Sequence, residues 1–110
     1  MKIAVPTVQG RLSLHFGHCE SFTFFEIEND QITNKYTEAP PPHAPGVLPA
    51  WLKNKGVNLV IAGGMGTRAQ GLFQQNGIQV IVGAPAIEPE RVVSDYLEGK
   101  LELGENICEH

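Results

Sequence analysis

Apolar positions along the chain fall into short continuous runs alternating with helix-like periods. Residues 2–6, KIAVP, form an apolar run that reads as a buried strand ending at Pro6. FTFFEIEN (22–29), rich in Phe and Ile, reads as a second strand. Asn29-Asp30 then supplies a two-residue hairpin turn, because both residue types tolerate positive φ. QITNKYTE (31–38) returns as a third strand whose polar mix suits a sheet edge. In APPPHAPG (39–46), Pro40, Pro41, Pro42 and Pro45 exclude regular structure and stiffen an extended loop. A helix is expected next, with Pro49 in its first turn, Leu48, Trp51 and Leu52 on its apolar face, and Gly56 as its stop.

The second half of the chain repeats a strand-and-helix alternation. VNLVIA (57–62) is apolar at successive positions, as in a strand covered on both faces. GGMG leads into TRAQGLFQQNG, a helix in which Thr67 and Gln70 have capping-box spacing, Leu72 and Phe73 face the core and Gly77 closes the last turn. IQVIV (78–82) is the fifth expected strand. EPERVVSDYLEG is the last helix, with Pro89 near its start, apolar Val92, Val93, Tyr96 and Leu97, and Gly99 at its end. The tail KLELGENICEH has no clear period. The order β-β-β-α-β-α-β-α predicts an α/β single domain over residues 1–110: a mixed five-stranded sheet, with an antiparallel meander first and right-handed crossovers after it.

Composition narrows the function classes. At 110 residues the chain can bury a core without a disulfide or a structural metal. A formal charge of −4, with eight scattered basic residues, argues against a nucleic-acid surface, which needs clustered Lys and Arg. The N-terminal apolar run is too short for a signal peptide or a membrane span, so a soluble cytoplasmic protein is expected. In that reducing compartment the two cysteines read as thiols or ligands rather than a bridge.

Chemistry concentrates in LHFGHCESF, where His15, His18 and Cys19 stand within five positions of a chain holding four histidines and two cysteines. Strand direction gathers more. If the first strand runs upward, the loop holding these three residues lies at the top, as does the proline loop with His43. The GGMG and GAPA segments end there too if the last two strands are parallel to the first. Open α/β sheets bind ligands at this end. The tail begins at the opposite pole, but residues 100–110 extended would reach about 36 Å against a sheet roughly 20 Å tall, so Cys108 and His110 can return. Imidazole and thiolate together suit zinc, copper(I) or iron–sulfur species, and no carboxylate cluster suits magnesium or calcium. The plainer reading makes His15 and His18 turn residues, His43 a solvent-facing loop residue and Cys19 a small core hydrophobe.

IAGGMGTRA follows a strand and opens a helix. Gly63, Gly64 and Gly66 would let backbone N–H groups approach a ligand, the helix start with Thr67 favours negative charge, and Arg68 adds a cation. The segment lacks the Lys-Ser or Lys-Thr of a P-loop and the spacing of the dinucleotide fingerprint. The alternative is a tight strand-to-helix turn that needs small residues for packing.

The pieces KIAVP, HFGHCESF, IAGGMGTRA, GIQVIVGA and GENICEH, in this order and spacing, resemble the dinitrogenase iron–molybdenum cofactor biosynthesis family, the NifX-type domain also found at the end of NifB. The resemblance implies a ribonuclease-H-like fold with a five-stranded mixed sheet. It also implies binding, carrying or protecting a metal–sulfur cofactor or its precursor, with iron, molybdenum, copper or zinc as candidate metals and without an established catalytic reaction. Small stand-alone members are similar to proteins that hold molybdenum–copper–sulfide clusters, and others sit beside cluster-assembly ATPases, a partner implied here by analogy. Residues carried over are His15 with the Phe16-Gly17 turn, His18, Cys19, Cys108 and His110; the proline loop contributes only His43, where relatives often carry several histidines. Nuclease chemistry is not implied, because the first strand offers no Asp or Glu for two metals. A carrier without enzymatic activity is therefore the leading expectation. A metal-independent module binding an anionic small molecule at GGMGTR is the alternative. A thiol enzyme built on Cys19 with His15 or His18 as base ranks last, for want of a third, orienting residue.

Overall fold

The computed structural model describes residues 1–42, 44 and 46–106. The elements run β1 (Lys2–Val8), β2 (Arg11–Leu12), a 3-10 turn (Phe16–His18), β3 (Ser21–Glu28), β4 (Gln31–Glu38), α1 (Val47–Asn54), β5 (Leu59–Ile61), α2 (Thr67–Gln75), β6 (Gln79–Ile81) and α3 (Pro89–Leu97). The sheet order is β4-β3-β1-β5-β6, with β2 paired to β1. β1, β3 and β4 form the antiparallel meander, and β5 and β6 join β1 as parallel strands, so the mixed α/β sheet is as the patterning predicts.

Alternation of side chains sorts the core into two layers. Ala4, Phe22, Phe24 and Val60 point to the face covered by Leu48 and Leu52 of α1 and Phe73 of α2. Ile3, Val5, Phe25, Leu59 and Ile61 point to the other, where Val92 and Val93 of α3 cover them. All three residues of β5 are buried, which accounts for its unbroken apolar run. The polar β4 lies at the edge, as its composition requires. Asn29 and Asp30 have φ of 52° and 60°, the left-handed pair that a two-residue hairpin needs.

Three local expectations are corrected. The sheet has six strands rather than five: Gln9 and Gly10, at φ 53° and 77°, turn β1 back into the two-residue β2. A pair of residues leaves no period to detect. Second, β1 does not stop at Pro6 but continues to Val8. The Pro6 carbonyl accepts from the Ser13 N–H (2.8 Å), so the side on which proline lacks its N–H faces away from β3. β5 pairs only with Ile3 and Ala4, so no ladder bond is missed there. Third, the capping box at Thr67 and Gln70 does not form. Gly66 is the cap, Thr67 is already helical, and Gln70 Nε2 turns back to the Met65 carbonyl (2.9 Å).

Gly63, beyond the end of β5, fixes how the loop after β2 is seated. A methyl group there would meet Leu14 Cα at 2.8 Å and the Ser13 carbonyl oxygen at 3.0 Å, both backbone atoms that cannot swing aside. Gly71, inside α2, has nothing within 4 Å of the same position. Urea unfolding is expected to show Gly63→Ala destabilised by about 1–3 kcal/mol. Gly71→Ala should be stabilised by about 0.5–1 kcal/mol, as for an unencumbered helical glycine.

Candidate functional site

Four chain segments meet side by side at the carboxyl ends of β1, β5 and β6, joined by main-chain bonds. Gly64 N–H donates to Leu14 O (2.7 Å) and Phe16 N–H to Gly64 O (2.9 Å), making a parallel bridge between His15 and Gly64. Gly83 N–H donates to Gly63 O (2.6 Å), and Gly104 N–H to Gly83 O (2.7 Å). Gly83 sits at φ +89°, and a side chain there would collide with the Gly104 backbone. The tail therefore does return from the far pole to this rim. Asn106 completes its attachment: Nδ2 donates to Met65 O (2.7 Å), while Met65 N–H donates to Asn106 Oδ1 (2.9 Å).

The histidine loop is anchored by Phe16, buried edge-on against Phe22 and Phe73 at ring separations of 5.9 and 5.5 Å. The 3-10 turn that follows closes with His18 N–H donating to His15 O (3.0 Å), and Ser13 Oγ donates to the same carbonyl (2.8 Å). Both imidazoles are left exposed on one side, ring centres 5.6 Å apart. They share a cleft of about 350 Å³ with Arg11, Ser13 and Ala86. On the loop's other side, Phe16 and Gly17 border an apolar cleft of about 460 Å³, closed by Ala44, Leu48, Met65 and Phe73.

Cys19 departs from its neighbours. Its backbone is extended (φ −72°, ψ 148°), and its half-buried side chain packs against the cluster of Phe16 and Phe22. Burial raises its thiol from the usual 9.0 to about 11, a backbone hydrogen bond pulling weakly the other way. Such a thiol is protonated at neutral pH, unlike the activated thiolate that a cysteine nucleophile needs. Among the described residues, no three His, Cys, Asp or Glu side chains converge as they would to hold a metal ion. His43, Cys108 and His110 lie outside the described residues. Ala44, next to His43, borders the apolar cleft, and Asn106 stands two positions before Cys108.

The glycine turn is consumed by packing. Gly63 and Gly64 are buried, and the amides of Gly64 and Met65 are already bonded to Leu14 and Asn106. What remains for an anion is half-buried Gly66 with exposed Arg68, while Thr67 is exposed at the helix start. Sequence reasoning missed Asn106, Gly83 and Gly104. The only local trace of them is the Gly-x-Asn of an otherwise aperiodic tail, which is turn chemistry.

Over residues 1–99 the chain matches the family model described as "Dinitrogenase iron-molybdenum cofactor", a span that takes in the histidine loop and the glycine turn but not the tail. It is 42% identical over 107 residues to MJ0580, an uncharacterised protein of Methanocaldococcus jannaschii, covering 93% of this chain and 90% of that one. In three dimensions it is similar to the crystal structure of PH0822, with a TM-score of 0.89 at 29% identity over 96% of both chains. The apo form of the orange protein from Desulfovibrio gigas shares the fold, with a TM-score of 0.76 at 18% identity over 96% of this chain and 93% of that one.

The burial of Cys19 sets a measurable pH dependence. In a Cys108→Ser variant, the ultraviolet thiolate absorbance of the folded chain is expected to titrate near pH 11, and near 9.0 once the chain is unfolded. The unfolded chain then releases its proton first. Folding should lose stability as pH rises from about 9 to about 11, with no contribution from this group below that window. Iodoacetamide at neutral pH should react about 100-fold more slowly than with an unhindered thiol of ordinary pKa.

Proposed function

The chain belongs to the dinitrogenase iron–molybdenum cofactor family, and from that premise we propose that it binds and carries a metal ion or metal–sulfur cluster, or a cluster precursor, at the rim, without catalysing a reaction of its own. One observation supports this more than any other. Met65 is bonded to Asn106 and borders the apolar cleft with Phe16 and Ala44, so the residues next to His15 and His43 and the one two positions before Cys108 share one neighbourhood. That neighbourhood supports the carrier reading, which requires scattered imidazoles and thiols to share one rim.

Donor chemistry agrees. Two imidazoles sharing one tetrahedral ion at metal–nitrogen distances of about 2.0–2.1 Å bring their ring centres to about 5–5.5 Å. His15 and His18 stand at 5.6 Å, a separation comparable to that span. Their exposure suits a cargo that must be taken up and handed on. Cys19 would join as a thiolate only by releasing its proton to the incoming metal, and His43, Cys108 and His110 are the remaining candidate ligands. Imidazole with thiolate fits iron, copper, zinc or a molybdenum–sulfur species.

We read the β1–β3–β4 meander with parallel β5 and β6 as the ribonuclease-H-like arrangement, β2 being an added hairpin arm. The proposal places the protein in the cytoplasm. Among the described residues no helix is long and apolar enough to cross a membrane, and the net charge of −4 disfavours nucleic acid as a partner. A cluster-assembly ATPase is the partner that family analogy suggests.

Anaerobic titration with Co(II) or Zn(II) tests the proposal. Replacing His15 and His18 together by Ala should weaken binding at least about tenfold. Affinity should fall as pH drops, because protons compete with the metal for its ligands. Equal binding by parent and double variant would remove the histidine loop from the site.

A further inference from the structure

Ser13 stands just before the histidine motif and is 2% exposed, so its hydroxyl needs a partner inside the protein. Its main chain is tied to β1, where the Ser13 N–H donates to the Pro6 carbonyl (2.8 Å). The hydroxyl reaches forward and donates to the carbonyl of His15 (2.8 Å). That same oxygen accepts the His18 N–H (3.0 Å), the bond that closes the 3-10 turn. One carbonyl therefore links a sheet-anchored serine to the backbone of both histidines.

The two histidines differ in how firmly they are held. The peptide between His15 and Phe16 is fixed at its other end by the Phe16 N–H, which donates to Gly64 O (2.9 Å). His15 also forms the bridge with Gly64, so it keeps its place on the sheet without the hydroxyl. His18 has weaker support. Its turn is only three residues long, a 3-10 turn has poor hydrogen-bond geometry, and the next bond, Cys19 N–H to Phe16 O, is stretched to 3.5 Å. The direction of the His15 carbonyl then decides where the His18 amide docks, and with it where the second imidazole stands. Resting on the metal-carrier reading above, we infer that Ser13 is a positioning residue: its hydroxyl holds the His15 carbonyl so that the His15 and His18 imidazoles are presented as a pair to one metal ion. Alanine at this position removes the hydroxyl yet leaves the carbonyl its His18 donor, so no buried group is orphaned and the fold survives.

The test adds Co(II) anaerobically to the whole chain and to Ser13→Ala. Bound Co(II) shifts the ring protons of each imidazole that holds it, and the signals that His18→Ala removes are those of His18. Ser13→Ala should lose these, keep the signals that His15→Ala removes, and bind cobalt about tenfold more weakly or worse. In the metal-free chain the amide order parameter of His18 should fall from about 0.85 to below about 0.6, with circular dichroism unchanged. A lower order parameter with both sets of signals kept and affinity within about twofold of the parent would overturn the positioning role, leaving a bond that only steadies the loop. An unchanged order parameter would overturn the brace itself. If His15→Ala with His18→Ala binds cobalt like the parent, the metal reading fails and this role with it. Lost binding there beside an unaffected Ser13→Ala rejects Ser13 alone.

Discussion

The rim is held by peptide groups approaching closer than any side chain permits. Leu14 bonds to Gly64, Gly63 to Gly83 and Gly83 to Gly104, so four stretches from distant parts of the sequence lie in one hydrogen-bonded row. Two of these approaches need glycine for space: Gly63 because Leu14 and Ser13 stand against it, Gly83 because Gly104 does. Buried peptide groups must find partners, and at strand ends the ladder no longer supplies them. Here the neighbouring segments do. What looks in sequence like a ligand-cradling glycine loop is in large part a joint between chain segments.

The joint positions the chemistry above it. Phe16, wedged between Phe22 and Phe73, fixes the loop from below, while the His15–Gly64 bridge fixes it from the side. Between these restraints the turn presents two imidazoles to solvent and sends Cys19 back toward the core. One short motif therefore holds donors in two environments: histidines that meet water and a thiol that burial keeps protonated.

Most of the scaffold was legible because its elements carry local signals. The Asn29-Asp30 hairpin, the buried run of β5 and the polar edge of β4 all follow from residue type and period. The meeting of loops at one pole followed from strand direction alone. Other features had no local signature. β2 is two residues long, and its turn rests on Gln9, a residue not usually found at positive φ. The bonds between Asn106 and Met65 link positions 41 residues apart, and an Asn in an aperiodic tail signals no partner. Cys19 beside His18 suggested a shared outlook, yet the change from a 3-10 turn to extended backbone sends the two side chains different ways. Adjacency in sequence set the reach of these donors; backbone conformation set their direction.

A frame built from main chain leaves its ornaments free to vary. The row's bonds run from main chain to main chain, so evolution or an engineer can exchange an exposed side chain such as His18 while the peptide lattice beneath stays whole. Related proteins drawing on this architecture are then free to change the chemistry of the rim by altering a few surface side chains, without repacking the interior.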